Sequence, residues 1–253
     1  MENKPLDRRE FLKATAGTGL AAAIISGSSL ATAIGSDKLV GRKEKSFAFF
    51  DVCCIHPDPG NSKFILAKPA EPIWDVLKKI HAKAESIGAP LLSLTCLGIQ
   101  RSNPGLWTKD TVAKDRLQNP KKSEMAFVSL EASSEDVKKA ISSRQIFLER
   151  HGCSSPEENV RQHAEDVFLY NPNAAKIVQG LGERHWFVFG RSFQYCGEAT
   201  AVGLLALRKN VTVLEDAILP AGGEWNTIKR FEKTQEYLKS LGAQFARFDS
   251  IFA

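Results

Sequence analysis

Short apolar runs alternate along the chain with segments in which apolar residues recur at helical spacing. The segment Phe47–Cys53 is apolar at nearly every position, as expected of a strand that helices cover on both faces. Pro72 then begins a helical pattern and Gly88 ends it, since proline is favoured at the start of a helix and glycine just after its end. The apolar face of this predicted helix consists of Ile73, Leu77, Ile80, Ala84 and Ile87.

The same alternation continues along the chain and predicts its fold class. Further strands are predicted at residues 90–96, 125–130, 167–170, 185–189 and 211–214, and further helices at 134–150, 174–181, 196–208 and 224–241. Residues 100–122 are polar and aperiodic, which predicts a long surface loop. Strands that alternate with helices favour an α/β fold, a three-layer α/β/α sandwich with a mainly parallel, Rossmann-like sheet. No change in composition divides residues 46–253, so we expect one domain there.

The N-terminal segment resembles an export signal. Arg8 and Arg9 precede 23 uncharged residues, 14–36, of which 12 are apolar and the rest are Gly, Ser or Thr. Paired arginines before a weakly apolar run that ends in Ala31-Thr32-Ala33 resemble a twin-arginine signal cleaved after Ala33. Residues 1–33 are therefore expected to be a signal peptide and residues 34–45 a polar spacer. The resemblance implies a periplasmic or otherwise exported protein that the twin-arginine translocon carries already folded; the alternative is a transmembrane anchor.

Composition narrows the classes of protein that this chain can be. Hydrophobic residues make up 43% and charged residues 25%, which is ordinary for a folded globular protein. The net charge of +5, from 34 basic and 29 acidic residues, is too small to favour a nucleic acid as partner. Five cysteines are an odd number, so at least one thiol is unpaired unless it is linked to another chain.

The candidate functional residues lie at or after the ends of two predicted strands. Asp51 lies at the end of the first apolar strand, and Gly190–Ala201 leads from a strand through a turn into a helix predicted to start at Cys196. Ligands of open α/β sheets bind outside the carboxyl ends of the strands, where both side chains are expected. A helix N-terminus favours the thiolate form of a cysteine, and its N–H groups can hold an oxyanion. The alternative for Cys196 is a small buried apolar residue.

These segments resemble the isochorismatase-like cysteine hydrolase superfamily, which includes nicotinamidases and other small-molecule amidases. Three segments in the same order carry the resemblance: Phe49-Phe50-Asp51, the stretch Gly190–Ala201 with its Tyr-Cys and Ala-Thr-Ala, and Val211–Ala217 with its Asp-Ala end. The resemblance implies cleavage of a C–N bond in a small molecule through a cysteine thioester. It also implies that Cys196 is the nucleophile, that Asp51 is the acid and base, and that a lysine completes the triad.

The resemblance further implies an oxyanion hole made by the backbone amides of Ser192 and Cys196. The family lysine is missing, because the segment where it stands in the family is Phe168-Leu169-Tyr170-Asn171-Pro172 here. Lys176, one helical turn further on, is the candidate for its place. The Asp-x-His that binds a metal in nicotinamidase-type members is replaced by Cys96-Leu97-Gly98-Ile99-Gln100, so we predict no metal, and no cofactor is implied.

Two other classes of function stay open at this point. A non-hydrolytic member of the same fold, binding a small molecule or a partner protein, would explain the missing lysine. A thiol redox protein would need a second cysteine within disulfide reach of Cys196. The sequence also leaves the oligomeric state open, a homo-oligomer included. Four scattered histidines are predicted to lie on the surface or in the core and not to be ligands: His56, His151, His163 and His185.

Overall fold

The computed structural model describes residues 46–52, 55–57, 64–67, 72–95, 112–113, 125–129, 131–149, 171–191, 193–220 and 228–252. The strands are β1 (Phe47–Asp51), β2 (Ile55–Pro57), β3 (Phe64–Ala67), β4 (Leu91–Thr95), β5 (Val112–Ala113), β6 (Met125–Val128), β7 (Gln145–Glu149), β8 (His185–Arg191), β9 (Asn210–Leu219) and β10 (Gln244–Ala246). The helices are α1 (Trp74–Ser86), α2 (Ser134–Ile141), α3 (Pro172–Gly180), α4 (Glu198–Ala206), α5 (Ile228–Ser240) and α6 (Phe248–Phe252), with a π-helical turn at Phe193–Gly197.

Seven parallel strands form the central sheet, in the order β10-β9-β8-β1-β4-β7-β6. The strand β1 lies in the middle, between β8 and β4, and every residue of β1 is buried. The strands β2, β3 and β5 form a separate antiparallel sheet. The predicted α/β sandwich with a mainly parallel sheet is therefore confirmed, and the central sheet is parallel throughout.

Helices pack on both faces of the central sheet, which explains the unbroken apolar runs of its strands. On one face, called the α1 face here, α1 and α6 cover a cluster that includes Phe49, Phe187 and Phe189. On the other, called the α4 face, residues of α2, α3, α4 and α5 cover a cluster that includes Phe50 and Val188. Because successive strand residues point to opposite faces, the odd-numbered residues of β1 face α1 and its even-numbered residues face α4.

The helix predicted from Pro72 onward forms as α1 and ends where the pattern indicates. Leu77, Ile80 and Ala84 lie on its buried face, as the spacing of apolar residues predicts. The N–H of Ile87 bonds the carbonyl of Lys83, and the chain then turns at Gly88, whose φ of 64° lies in the left-handed region that glycine tolerates. The sequence thus determines this element locally.

The predicted helix 134–150 is wrong in its second half. The helix α2 begins at a capping box, in which Ser133 and Asp136 bond each other's backbone N–H groups, and it ends at Ile141. Ser142 Oγ and Ser143 Oγ then donate to the carbonyls of Lys138 and Lys139, a local bonding pattern that competes with helix continuation. Residues 145–149 instead form the buried strand β7 between β4 and β6.

Several predictions fall on residues outside the described part of the chain. These are the signal peptide and spacer over residues 1–45, the strand at 167–170, and most of the loop at 100–122, of which the structure describes β5. Among the helices that are described, none has the length and apolarity needed to cross a membrane.

Candidate functional site

The carboxylate of Asp51 lies at the carboxyl end of the central strand, fully buried on the α1 face. Its neighbours in register are Ser93 on β4 and Phe189 on β8. Ser93 is also buried, and its hydroxyl accepts a hydrogen bond of 3.2 Å from Gln145 Nε2 of β7. A band of buried polar side chains therefore crosses this otherwise apolar face at β1, β4 and β7.

His81 of α1 contacts this band directly. Its Nε2 lies 2.9 Å from Asp51 Oδ2, and the imidazole is 4% exposed. The ring of Phe189 meets the imidazole edge-on, with centroids 6.2 Å apart and an interplanar angle of 83°. A buried carboxylate is costly unless it is hydrogen-bonded, so this contact offsets part of the cost of burying Asp51.

Sequence reasoning did not single out His81, although a signal was present. His81 follows Leu77 by four residues and precedes Ala84 by three, so it stands on the predicted apolar face of the helix. Buried polar side chains are almost always hydrogen-bonded, so a histidine at such a position indicates a buried partner. The helical pattern does not say which residue that partner is.

Cys196 lies in the π-helical turn that joins β8 to α4. The turn spans Phe193–Gly197, so the helical segment begins three residues before the predicted start at Cys196. Cys196 is a thiol and not half of a disulfide, is 7% exposed, and belongs to the apolar cluster on the α4 face. π-Helical turns are rare and occur frequently at functional sites.

Close packing shapes the turn around Cys196. A Cβ added at Gly197 would lie 2.9 Å from Cδ2 of the Phe193 ring, so the turn needs glycine at this position. The Phe193 ring is itself buried and packs against Phe231 and Phe245, at centroid distances of 5.1 and 6.2 Å. The Cys196 turn is therefore held by aromatic packing on the α4 face.

Two polar side chains near Cys196 in sequence are also buried. Glu198 accepts a hydrogen bond of 2.8 Å from Thr234 Oγ1, which ties the first turn of α4 to α5. The hydroxyl of Thr200 has no hydrogen-bond partner within the part of the chain that the structure describes. Sequence reasoning did not predict that either group is buried, because a Glu or Thr in the first turn of a helix is usually solvated.

Asp51 and Cys196 belong to the same edge of the sheet but to opposite layers. The adjacent strands β1 and β8 are parallel, so Asp51 and the turn after β8 both lie at the carboxyl edge. The Asp51 side chain bonds α1, whereas Cys196 packs in the cluster that contains Val52, the next residue along the chain. The structure thus brings the two residues to one edge and joins Asp51 to His81.

The other predicted site residues lie as follows. Lys176 is exposed on α3, and its Nζ donates to Asn173 Oδ1 over 3.4 Å in the first turn of that helix. Ser192, predicted to contribute an oxyanion amide, lies outside the described residues. Asp216, from the Asp-Ala end of the third matched segment, accepts the N–H of Phe248 at 2.9 Å and so caps α6.

The described residues contain no group of three or more His, Cys, Asp or Glu side chains that could hold a metal ion. The chemistry that these residues offer is that of a thiol, a carboxylate and an imidazole. A thiol can act as a nucleophile and a carboxylate can carry its proton, whereas an imidazole can orient the carboxylate.

No family model and no curated protein matches the sequence. Among solved structures, the chain is similar to the pyrazinamidase of Pyrococcus horikoshii in complex with zinc, with 18% identity and a TM-score of 0.48 over 80% of this chain and 99% of that one. It is also similar to an isochorismatase from Pseudomonas putida KT2440, with 13% identity and a TM-score of 0.48 over 83% and 92% of the two chains. It is similar as well to the N-carbamoylsarcosine amidase from Thermoplasma acidophilum, with 16% identity and a TM-score of 0.45 over 81% of this chain and 98% of that one. These values assign neither an activity nor a site residue to this chain.

Proposed function

We propose that this protein is an exported cysteine hydrolase that cleaves the C–N bond of a small amide-like molecule. The observation that carries the proposal is the thiol of Cys196 in the helical turn after β8, at the edge where Asp51 lies at the end of the neighbouring strand. Substrates of open α/β sheets bind at this edge. The three matched sequence segments add the resemblance to small-molecule amidases.

The reaction follows from these two groups. The Cys196 thiol gives its proton to the Asp51 carboxylate, and the sulfur attacks the carbonyl carbon of the substrate. Asp51 then donates that proton to the nitrogen as the C–N bond breaks, which releases the amine and leaves an acyl thioester. A water molecule next gives a proton to Asp51 and its oxygen to the carbonyl carbon. The C–S bond breaks, the proton returns to sulfur, and the acid product leaves.

The negative oxygen of each tetrahedral intermediate needs hydrogen-bond donors. The first N–H groups of a helical segment have no partner within the helix, so they can supply these donors. Cys196 lies in the first turn of the segment that begins at Phe193. We assign this function to the backbone amides of Ser192 and Cys196. No step calls on a metal or another cofactor.

The test is ammonia release from a panel of small primary amides by the wild-type protein and by Cys196→Ser. The variant is expected to lose activity by about 10³-fold or more, because serine is a far weaker nucleophile without a dedicated base. Cys153→Ser, which changes a cysteine outside the three matched segments, is the control and is expected to keep full activity. Unchanged turnover in Cys196→Ser would remove Cys196 from the reaction.

A second candidate is a binding protein of the same fold that does not hydrolyse its ligand. Two observations favour it. Lys176, the candidate for the place of the family lysine, bonds Asn173, and Cys196 packs among apolar side chains. Iodoacetamide separates the two candidates, since a thiol activated for hydrolysis is labelled faster than an ordinary buried thiol. A wild-type Cys196 that is labelled no faster than the other four cysteines would favour the binding protein.

The location of the protein is part of the proposal. Residues 1–33 act as a twin-arginine signal, and the mature chain meets its small-molecule substrate outside the cytoplasm. N-terminal sequencing of protein from a periplasmic fraction is expected to begin at Ile34. An intact Met1 in a membrane fraction would instead show that the segment is an anchor.

A further inference from the structure

The carboxylate of Asp51 has a partner that the family resemblance does not include. Asp51 Oδ2 and His81 Nε2 lie 2.9 Å apart, and both side chains are buried. An ionised carboxylate has acceptors and no donor, so a bond between His81 and an ionised Asp51 requires the hydrogen to be on Nε2. Hydrogen bonds to charged groups are shorter and stronger than those between neutral groups. The bond therefore fixes the position of Oδ2.

The imidazole is itself held in one orientation. His81 stands on the buried face of α1 beside Leu77 and Ala84, in a layer packed with aromatic side chains. The Phe189 ring meets it edge-on from β8, the strand that leads to Cys196. Close packing of this kind restricts a side chain to one rotamer. The imidazole that bonds Asp51 is thus held rigidly, and it contacts β8 as well as β1.

The lysine that the sequence offered as the third member of the triad bonds another residue. Lys176 belongs to α3, which packs on the α4 face, and its ammonium donates to Asn173. Arg191, at the end of β8, donates its Nε to the carbonyl of Pro220 over 3.2 Å. His81, by contrast, contacts the Asp51 carboxylate itself.

We propose that His81 is the positioning residue for Asp51 in the thiol chemistry of Cys196, an inference that rests on the function proposed above. His81 holds Oδ2 in place while the Asp51 carboxylate exchanges the proton with the thiol and the leaving nitrogen. His81 keeps its own hydrogen throughout, so the proton passes between Cys196, Asp51 and the substrate alone. The N–H donor also offsets part of the repulsion between a carboxylate and a thiolate at one edge of the sheet.

The experiment measures the rate at which iodoacetamide alkylates Cys196 in the folded full chain at neutral pH, with the site identified by peptide mass spectrometry. His81→Leu removes the donor and is expected to slow labelling by about tenfold or more, because a misplaced catalytic group costs rates of that order. His81→Gln keeps an N–H donor and is expected to restore most of the rate. His185→Leu is the matched control, since His185 is buried on the same face and bonds Thr212.

The outcomes separate the two proposals. Slow labelling of Cys196 in the wild-type protein would overturn the proposed hydrolase and the role of His81 with it. Fast wild-type labelling that His81→Leu leaves unchanged would overturn the role of His81 alone. Equal slowing in His81→Leu and His185→Leu would also overturn it, since the effect would then follow from weakened packing of the layer.

A second measurement needs no variant and holds if His81→Leu does not fold. Long-range ¹H–¹⁵N spectra of the wild-type protein report which imidazole nitrogen of His81 carries the hydrogen. We expect it on Nε2. A hydrogen on Nδ1 with Nε2 bare would overturn the proposal, because Nε2 would then accept and could not hold the carboxylate.

Discussion

Two buried histidines lie on the same face of the sheet and differ in their partners. His81 of α1 bonds the carboxylate of Asp51 at the carboxyl end of β1, over 2.9 Å. His185, the first residue of β8, lies 2.7 Å from the hydroxyl of Thr212 at the opposite, amino edge. The aromatic cluster of the α1 face surrounds both: the Phe189 ring contacts His81, and those of Phe47 and Phe187 contact His185.

The partner decides what each histidine can do. A threonine hydroxyl stays neutral, so its bond to His185 satisfies a buried polar group and holds β8 to β9. A carboxylate can carry charge and accept a proton, and Asp51 lies at the edge where ligands of open α/β sheets bind. Burial of a histidine is therefore weak evidence of function by itself, and the role proposed for His81 rests on its contact with a carboxylate at this edge.

The largest effect is expected from replacing each histidine by leucine. His81→Leu leaves the Asp51 carboxylate in an apolar layer without its imidazole, which lowers the free energy of unfolding by about 3–5 kcal/mol. His185→Leu removes one bond from a neutral hydroxyl that can still donate to Gln244 Oε1, 3.4 Å away, and costs about 1 kcal/mol. Urea unfolding at neutral pH measures both. Equal losses would contradict the distinction between the two histidines.

A double-mutant cycle gives the next largest effect. Asp51→Leu in the His81→Leu protein removes the buried charge, so we expect the double variant to be more stable than His81→Leu alone. The coupling energy between the two positions is expected at about 1–3 kcal/mol, as for other groups in direct contact. The same urea unfolding curves provide it. A coupling energy near zero would mean that the two side chains contribute independently.

The smallest effect is expected at an exposed carboxylate, which sharpens the contrast with Asp51. Hydrogen bonds from the side chain and the backbone N–H of Ser133 hold the pKa of Asp136 below its ordinary value of 3.8. The folded protein thus favours the charged form of Asp136. The stability that follows from this preference is fully present above pH 3.8, and it is lost as the pH falls from there through the lowered pKa. Asp136→Asn should therefore lower the melting temperature slightly at neutral pH and hardly at all near pH 2.

Glu135→Gln in the same turn is the control for Asp136. Its charge also lies near the helix N-terminus, but Ser133 bonds Asp136 in the capping box. We expect the loss for Asp136→Asn to exceed that for Glu135→Gln at neutral pH, measured by thermal unfolding. If the two variants melt at the same temperature, the capping box contributes nothing beyond the charge.

Local patterns predicted most strands of the central sheet and failed where a helix and the strand after it were predicted as one helix. The strand Phe47–Asp51 and the helix α1 form as predicted, because periodicity and the Pro and Gly signals are local. Residues 134–150 were expected to be one helix, because Ser133 or Ser134 offers an N-cap and acidic residues follow in the first turn. The helix ends at the two serines that follow Ile141. Residues 145–149 form a buried strand because β4 and β6 lie on either side of them.

The sequence by itself determined the alternation of strands and helices, and with it the parallel sheet and the edge at which Asp51 lies. It did so because side-chain periodicity follows from the geometry of each element alone. The tertiary structure decided that Asp51 bonds His81, 30 residues away, and that Lys176 bonds Asn173 instead. A buried polar group takes whichever partner the packing of distant elements brings within about 3 Å, and no local pattern contains that information.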